Sequence, residues 1–375
     1  MISRLRAHYI FRNRNRNYGV DLLRIVAMCM VVILHVLNFG GILEAAKGDP
    51  VKEGTAWFLE IAAYCAVDVY ALLSGFVGYR SKHRPAGLAH LWLRVAFWSV
   101  ILTLIEKLFF DPTVGRKKIM FAFFPLTNKG YWYFNMYFCL FLLLPLLNAG
   151  IERLSKRTLR LTVLSLVVCF SVLPFVWRKD LFKSEGGYSV IWLIVLYLIG
   201  AYIAKYQAFA HIKKAIAFLG YFLCITIVWC SRILIVQFFP SFSGVQNNED
   251  WLVSYTSLPI LLSAIFLLLI FRNLRLPAFL NKVIAVVSPL AFSVYIIHLH
   301  HLVSSVFLKD KFSDYALLSP PLMVLAVIGT AILFFAACAA LDWIREIIFV
   351  ILDVKGILQK AETKLLSAKV LFSEK

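Results

Sequence analysis

The chain has 375 residues, of which 61% are hydrophobic and only 16% charged, and a mean hydropathy of +0.81, whereas soluble domains carry about 25% charged residues. That composition excludes soluble globular, disordered, collagenous and disulfide-scaffold classes. The net charge of +19 would suggest nucleic acid in a soluble protein, but here most Lys and Arg fall between apolar runs, where membrane sidedness governs them.

An apolar run of about 20 residues crosses a bilayer as a helix. Ten such runs are present, over 20–39, 57–79, 87–108, 131–149, 159–177, 189–204, 215–239, 252–271, 284–308 and 318–341. The expected fold is all-α, a polytopic integral membrane bundle of about ten transmembrane helices. Arg4, Arg6, Arg12, Arg14 and Arg16 precede the first span, so residues 1–19 form a basic cytoplasmic N-terminus, and ten spans return the C-terminus to the cytoplasm. Most loop Lys and Arg fall inside in this orientation. The outer loop 109–130 is an exception, with Arg116, Lys117, Lys118 and Lys129; it suits lipid headgroups and an anionic acceptor equally well. Residues 1–341 form the membrane domain. In 342–375, Ile344, Ile347, Ile348 and Ile351 recur at helical spacing, which predicts an amphipathic cytoplasmic helix on the membrane surface. The seven cysteines lie in apolar stretches without C-x-x-C spacing and read as buried thiols.

Ionisable side chains inside a span cost at least about 2.5–3.5 kcal/mol near its centre and are functional candidates by default. The first span carries Asp21, Arg24 and His35. At about 100° per residue, the eleven steps from Arg24 to His35 return to within about 20°, so the three share one stripe, with His35 about 16 Å nearer the outer end. The plain structural alternative for Arg24 is a snorkelling anchor paired with Asp21. The second span contains Glu60, Asp68 and VDVYALLSGF, ending near Ser74; small residues there permit close helix approach. The third opens with His90 and Arg94 on one face, after Arg80, Lys82 and Arg84. With Arg24 these make a basic cytoplasmic mouth suited to a phosphate-bearing ligand such as a coenzyme A thioester.

At the outer end, the fourth span begins with Tyr131, Trp132, Tyr133 and Asn135, the seventh carries Arg232, and the ninth carries His298, His300 and His301. His300 faces away from the other two and no carboxylate or Cys stands at ligand spacing, so no metal site is expected. A polar outer chamber lined by His35, Arg232 and His298 is expected instead. Trp132 and Tyr133 can stack on a sugar ring, although the aromatic belt is their more ordinary role.

The sequence NYGVDLLRIVAMCMVVILHV, with Arg24 and His35 in Arg-x10-His spacing, resembles the membrane-bound acyltransferase 3 family, as do VDVYALLSGF, YWYFNMYFCLFLLLPLLN and SVYIIHLH. The likeness covers nearly the whole chain and is closest to the stand-alone type, without a fused extracytoplasmic hydrolase-like domain. It implies a plasma-membrane O-acyltransferase of bacterial kind with no bound cofactor. Acetyl-CoA or another acyl-CoA would be co-substrate, and the acceptor a hydroxyl of a surface polysaccharide or lipid-linked oligosaccharide. His35 is then the catalytic residue, as general base or transient nucleophile. Arg24 binds donor phosphate or stabilises oxyanion charge; Ser74, Arg80, His90 and Arg94 are donor-side candidates, and Trp132, Tyr133, Asn135, Arg232 and His298 acceptor-side ones. The third span departs from the family pattern in having one Arg, Arg94, in LWLRVAF. Competing functions are a polysaccharide transporter or flippase, against which stands the lack of an internal repeat; an exopolysaccharide O-succinyltransferase; and a non-catalytic sensor or assembly protein, which would need no titratable group at His35.

Overall fold

The computed structural model describes residues 16–81, 84–127, 129–239 and 250–373. Arg4, Arg6, Arg12, Arg14, Lys82 and the tip of the 109–130 loop at position 128 therefore lie outside the described residues. Among the described residues every regular element is helical. In chain order these include α1 (Tyr18–Asn38), α2 (Pro50–Tyr64), α3 (Ala66–Gly78), α4 (Pro85–Ile105), α5 (Arg116–Phe123), α6 (Trp132–Arg153), α7 (Lys156–Val167), α8 (Val190–Tyr206), α9 (Lys214–Phe238), α10 (Leu258–Arg272), α11 (Ala278–Val287), α12 (Ala291–His298), α13 (Pro320–Ile351) and α14 (Val354–Ser373). Helix α4 runs on through a π-helical turn over Glu106–Phe110, and α7 through a π-helical turn over Val168–Val172 to Trp177.

Helix starts are written locally in the sequence. Asn17 accepts the Val20 N–H at the head of α1, and Asp49 accepts from Val51 and Lys52 before Pro50 opens α2. Ser155 caps α7 through the Thr158 N–H. Each cap satisfies donors that a helix N-terminus otherwise leaves orphaned.

Among the described residues eight helices are long and apolar enough to cross a membrane, taking α2–α3 and α11–α12 as single units; the chain is a multi-pass membrane protein. The other two expected spans are the shorter α8 and α10, of 17 and 15 residues. Both nevertheless run beside the longer helices. Lys205 and Tyr206 at the end of α8 donate to the Leu154 carbonyl just after α6, while Tyr188 and Tyr255, before the starts of α8 and α10, pack on Trp132 at the start of α6. The face bearing the start of α1 and the end of α6 is called the near face below, and that bearing His35 and Trp132 the far face.

Helix α1 is the axis of the bundle, in contact with α2, α3 and α10–α13. Its apolar residues are buried nearly all round, as a helix without a polar face requires. Close packing of α3 against α8 depends on two glycines: a Cβ at Gly75 would strike the Tyr197 carbonyl, and one at Gly200 the Leu72 carbonyl.

Two expected boundaries fall elsewhere. The run over 284–308 is not one helix: α11–α12 starts earlier, at Ala278, and stops at His298, because His300 turns to ψ 139° and its ring accepts the Leu302 N–H. The boundary at 341 falls inside α13, which continues to Ile351. Its last turns are pinned inward by Arg345, which donates to both Asp342 and Glu346 at 2.7 Å, so Ile344 and Ile351 face outward. Of the seven cysteines, all free, Cys65, Cys224 and Cys338 are buried, whereas Cys139 is exposed on α6.

Candidate active site

A cavity near the start of α1 has a volume of about 710 Å³, within the range of about 300–1,000 Å³ typical of small-molecule sites. Arg16, Arg24 and Arg94 line it together with one carboxylate, Asp21. Asp21 pairs with Arg16, accepts from Arg24 Nη1 at 2.5 Å and accepts the Ser288 hydroxyl at 3.1 Å. Arg94 donates to the Pro289 carbonyl at 3.0 Å and lies 3.9 Å from Glu346. Three guanidinium groups against one lining carboxylate leave this wall positive, and their acceptors hold them in place. Asp21 is thus Arg24's partner, as the anchor alternative requires, yet Arg24 still faces the cavity. Ser74 also lines it and donates to the Tyr70 carbonyl.

A second, smaller cavity of about 40 Å³ surrounds His35, room for about three water-sized groups. Tyr70, Tyr133 and Phe292 line both cavities and form the partition between them. Tyr70 donates to the Arg24 carbonyl at 2.8 Å. The Tyr133 hydroxyl is buried without a hydrogen-bond partner, an arrangement that normally costs about 1–3 kcal/mol and calls for an explanation.

His35 is oriented by His298. The two rings meet at 2.7 Å between His35 Nδ1 and His298 Nε2, and His298 Nδ1 lies 2.5 Å from the Val294 carbonyl. A carbonyl only accepts, so His298 Nδ1 carries a proton, and its Nε2, in the neutral ring, accepts from His35 Nδ1–H. His35 Nε2 is then left with its lone pair. His35 also stacks on Phe39, with ring centroids 5.1 Å apart.

The expected residues do not all gather here. Arg24, Ser74 and Arg94 line the near cavity; His35, Trp132 and Tyr133 line the far one, and His298 backs His35. His90 instead packs edge-on against Phe349, and Arg80 is exposed over the Tyr79 ring. Asn135 sits on the first turn of α6 and lines neither cavity. The expected chamber of His35, Arg232 and His298 is corrected in one member. Arg232 is buried in a separate cluster, donating to Asp250 at 2.9 Å and Glu53 at 3.3 Å and lying over Trp57; two carboxylates hold it away from His35. The other histidines separate as well: His300 meets the Thr103 hydroxyl and His301 meets Glu106. Among the described residues no group of three or more His, Cys, Asp or Glu could hold a metal ion.

Sequence reasoning singled out Tyr133 of the partition but missed Tyr70 and Phe292, and with them Tyr295 behind it. Tyr70 stands within VDVYALLSGF and Tyr295 within SVYIIHLH, but a tyrosine in an aromatic-rich chain carries no signal of its own. Tyr295 accepts the Tyr133 N–H at 3.2 Å and thereby fixes the start of α6 beside His35.

A family model described as an acyltransferase domain, Acyl_transf_3, matches residues 17–340. Neither a curated protein nor a solved structure matches the chain.

Proposed function

The chain belongs to the Acyl_transf_3 family of membrane acyltransferases, and from that premise we propose that it moves a short acyl group from acyl-coenzyme A to a saccharide hydroxyl across the bundle. The observation that carries this reading is the pair His35–His298, which leaves a lone pair on His35 Nε2 in a small aromatic cavity that Tyr70, Tyr133 and Phe292 part from the positive one.

The near face is cytoplasmic in this reading, and the phosphates of the donor rest against Arg16, Arg24 and Arg94, whose guanidinium groups suit phosphate geometry. The pantetheine arm extends past Tyr70 and Tyr133. The acceptor hydroxyl arrives from the far face, at the outer side of the bacterial inner membrane. His35 Nε2 takes its proton as the acceptor oxygen bonds to the thioester carbonyl carbon; the carbon–sulfur bond then breaks, and the thiolate recovers the proton. The Tyr133 hydroxyl, without a partner of its own, donates to the oxygen on which negative charge develops. The tight cavity around His35 favours an acetyl-sized group over a succinyl one. The acceptor class, a cell-surface polysaccharide or its lipid-linked precursor, follows from the resemblance and from the far-face position of His35.

The test uses purified full-length protein, radiolabelled acetyl-CoA and base-stripped surface polysaccharide from the producing cells. Base-labile label should enter the polysaccharide and fall by at least about 10²-fold with His35→Ala. No transfer by the wild-type protein, or transfer indifferent to His35→Ala, overturns the reading.

A further inference from the structure

A third cavity of about 220 Å³ opens at the far face between the end of α7 and the segment preceding α10, separate from the chamber around His35. It is smaller than the roughly 300–1,000 Å³ of drug-sized sites and takes a single ring-sized unit. Its wall mixes hydroxyl groups from Ser171, Ser254 and Thr256 with the cations Arg178 and Lys179 and the indole of Trp251. Trp251 is held rigidly, stacked on Phe175 with centroids 4.6 Å apart and with the Arg178 guanidinium 4.1 Å from its ring centre. Asp180, the carboxylate in this wall, accepts the Ser184 hydroxyl and the N–H groups of Ser184 and Glu185, so its oxygens are spent on the loop.

Three further observations point to a ligand. Ser171 is 2% exposed, lines the cavity, and its Oγ has no hydrogen-bond partner. It sits on the π-helical turn Val168–Val172, a distortion that recurs at functional sites. The loop that closes the cavity holds the non-glycine residues Arg178, Lys183 and Glu185 at positive φ, a backbone strain that persists where surrounding structure over-determines it. At Gly187, φ +103°, a Cβ would lie 2.5 Å from that of Tyr255.

Tyr255 joins this cavity to the reaction centre. Its ring lines the His35 chamber, while its chain neighbours Ser254 and Thr256 line the outer cavity. Ser254 donates to the Gly186 carbonyl at 3.2 Å, which ties the two walls together.

Resting on the acyl-transfer reading, we infer that this cavity is an acceptor subsite that holds a saccharide unit of the glycan chain other than the one acylated, with Ser171 Oγ bonding one of its hydroxyls. The arrangement makes chain length a determinant of acceptor affinity, since a single unit reaches His35 but leaves the subsite empty.

The test measures KM for two lengths of the same acceptor, single repeats and fragments of several repeats cut from base-stripped surface polysaccharide, with acetyl-CoA as donor and the full-length protein. The wild-type protein should show a lower KM for the long fragments. Ser171→Ala removes an unsatisfied buried hydroxyl, so its thermal unfolding should be unchanged or raised, while the KM ratio between short and long acceptors shrinks by about tenfold, the equivalent of one lost hydrogen bond of about 1.4 kcal/mol. Lys179→Glu, an exposed change that leaves packing intact, should shrink the ratio too. A ratio unchanged in both variants, or a loss of kcat equal for both lengths, overturns the subsite and leaves the acyltransferase reading standing. No transfer to either length by the wild-type protein defeats that reading and the subsite with it.

Discussion

The proposed chemistry rests on the hydrogen bonds of three side chains. His298 spends Nδ1–H on the Val294 carbonyl and Nε2 on His35, so it has no freedom left except to set the tautomer of His35. His298→Ala should therefore cut kcat by the same order as loss of His35 itself, because the imidazole that remains no longer presents a fixed lone pair; an acetyl-transfer assay with unaltered KM for acetyl-CoA checks it. Tyr133→Phe removes only a buried hydroxyl without a partner. Loss of one oxyanion donor lowers kcat by about 10²–10³-fold, and the variant should fold as well as the parent; a kcat within twofold of wild type would show the hydroxyl idle. At this scale the sequence was informative where one helix sufficed: 3.6-residue periodicity puts Arg24 and His35 on one stripe, and each faces a cavity on that stripe. It was uninformative between helices. Span position puts Arg232 and His35 both at the outer end, but periodicity gives depth along a helix and not the azimuth of its neighbours, and Arg232 turns to Glu53 and Asp250.

Among the elements, the joint between α4 and α13 carries the largest electrostatic stake. Arg345 is fully buried and bonds Asp342 and Glu346, while the Trp98 indole N–H donates to Asp342 at 2.8 Å. Arg345→Ala takes the guanidinium away from the buried Asp342 and Glu346, which should destabilise the protein by about 3–5 kcal/mol, measured by thermal unfolding in detergent. Since Glu346 also stands 3.9 Å from Arg94, the same change should weaken acetyl-CoA binding; unaltered stability would mean that water reaches the cluster. Hydropathy alone could not expose this joint. The run of apolar residues ends at Leu341, and the charged residues that follow look like a surface helix until the partners of Asp342 and Arg345 are seen. The apolar cores of the helices, in contrast, were plain from run length, since residues that must face either hydrocarbon or other helices have little compositional choice.

Taken whole, the molecule places a cation-lined cavity and an aromatic chamber at opposite ends of α1, with Tyr70, Tyr133 and Phe292 between them. A membrane enzyme of this plan lets a polar donor and a polar acceptor meet without either crossing. Sidedness is then part of the mechanism. With the exposed Cys139 replaced by Ser, Lys156→Cys at the near face should react with an impermeant maleimide only after the cells are opened, whereas Lys309→Cys, in the exposed loop after His298, should react on intact cells. The reverse pattern would put the donor cavity outside, away from acyl-CoA.

Acyl transfer by His35 is open to a decisive experiment in the native cell. His35→Ala is introduced, its level in the membrane matched to wild type, and base-labile O-acyl esters and total glycan at the cell surface are quantified by proton NMR. The glycan should persist and its esters vanish. Glycan that disappears from the surface and accumulates inside would contradict acyl transfer in favour of transport, and esters that persist would remove His35 from the chemistry.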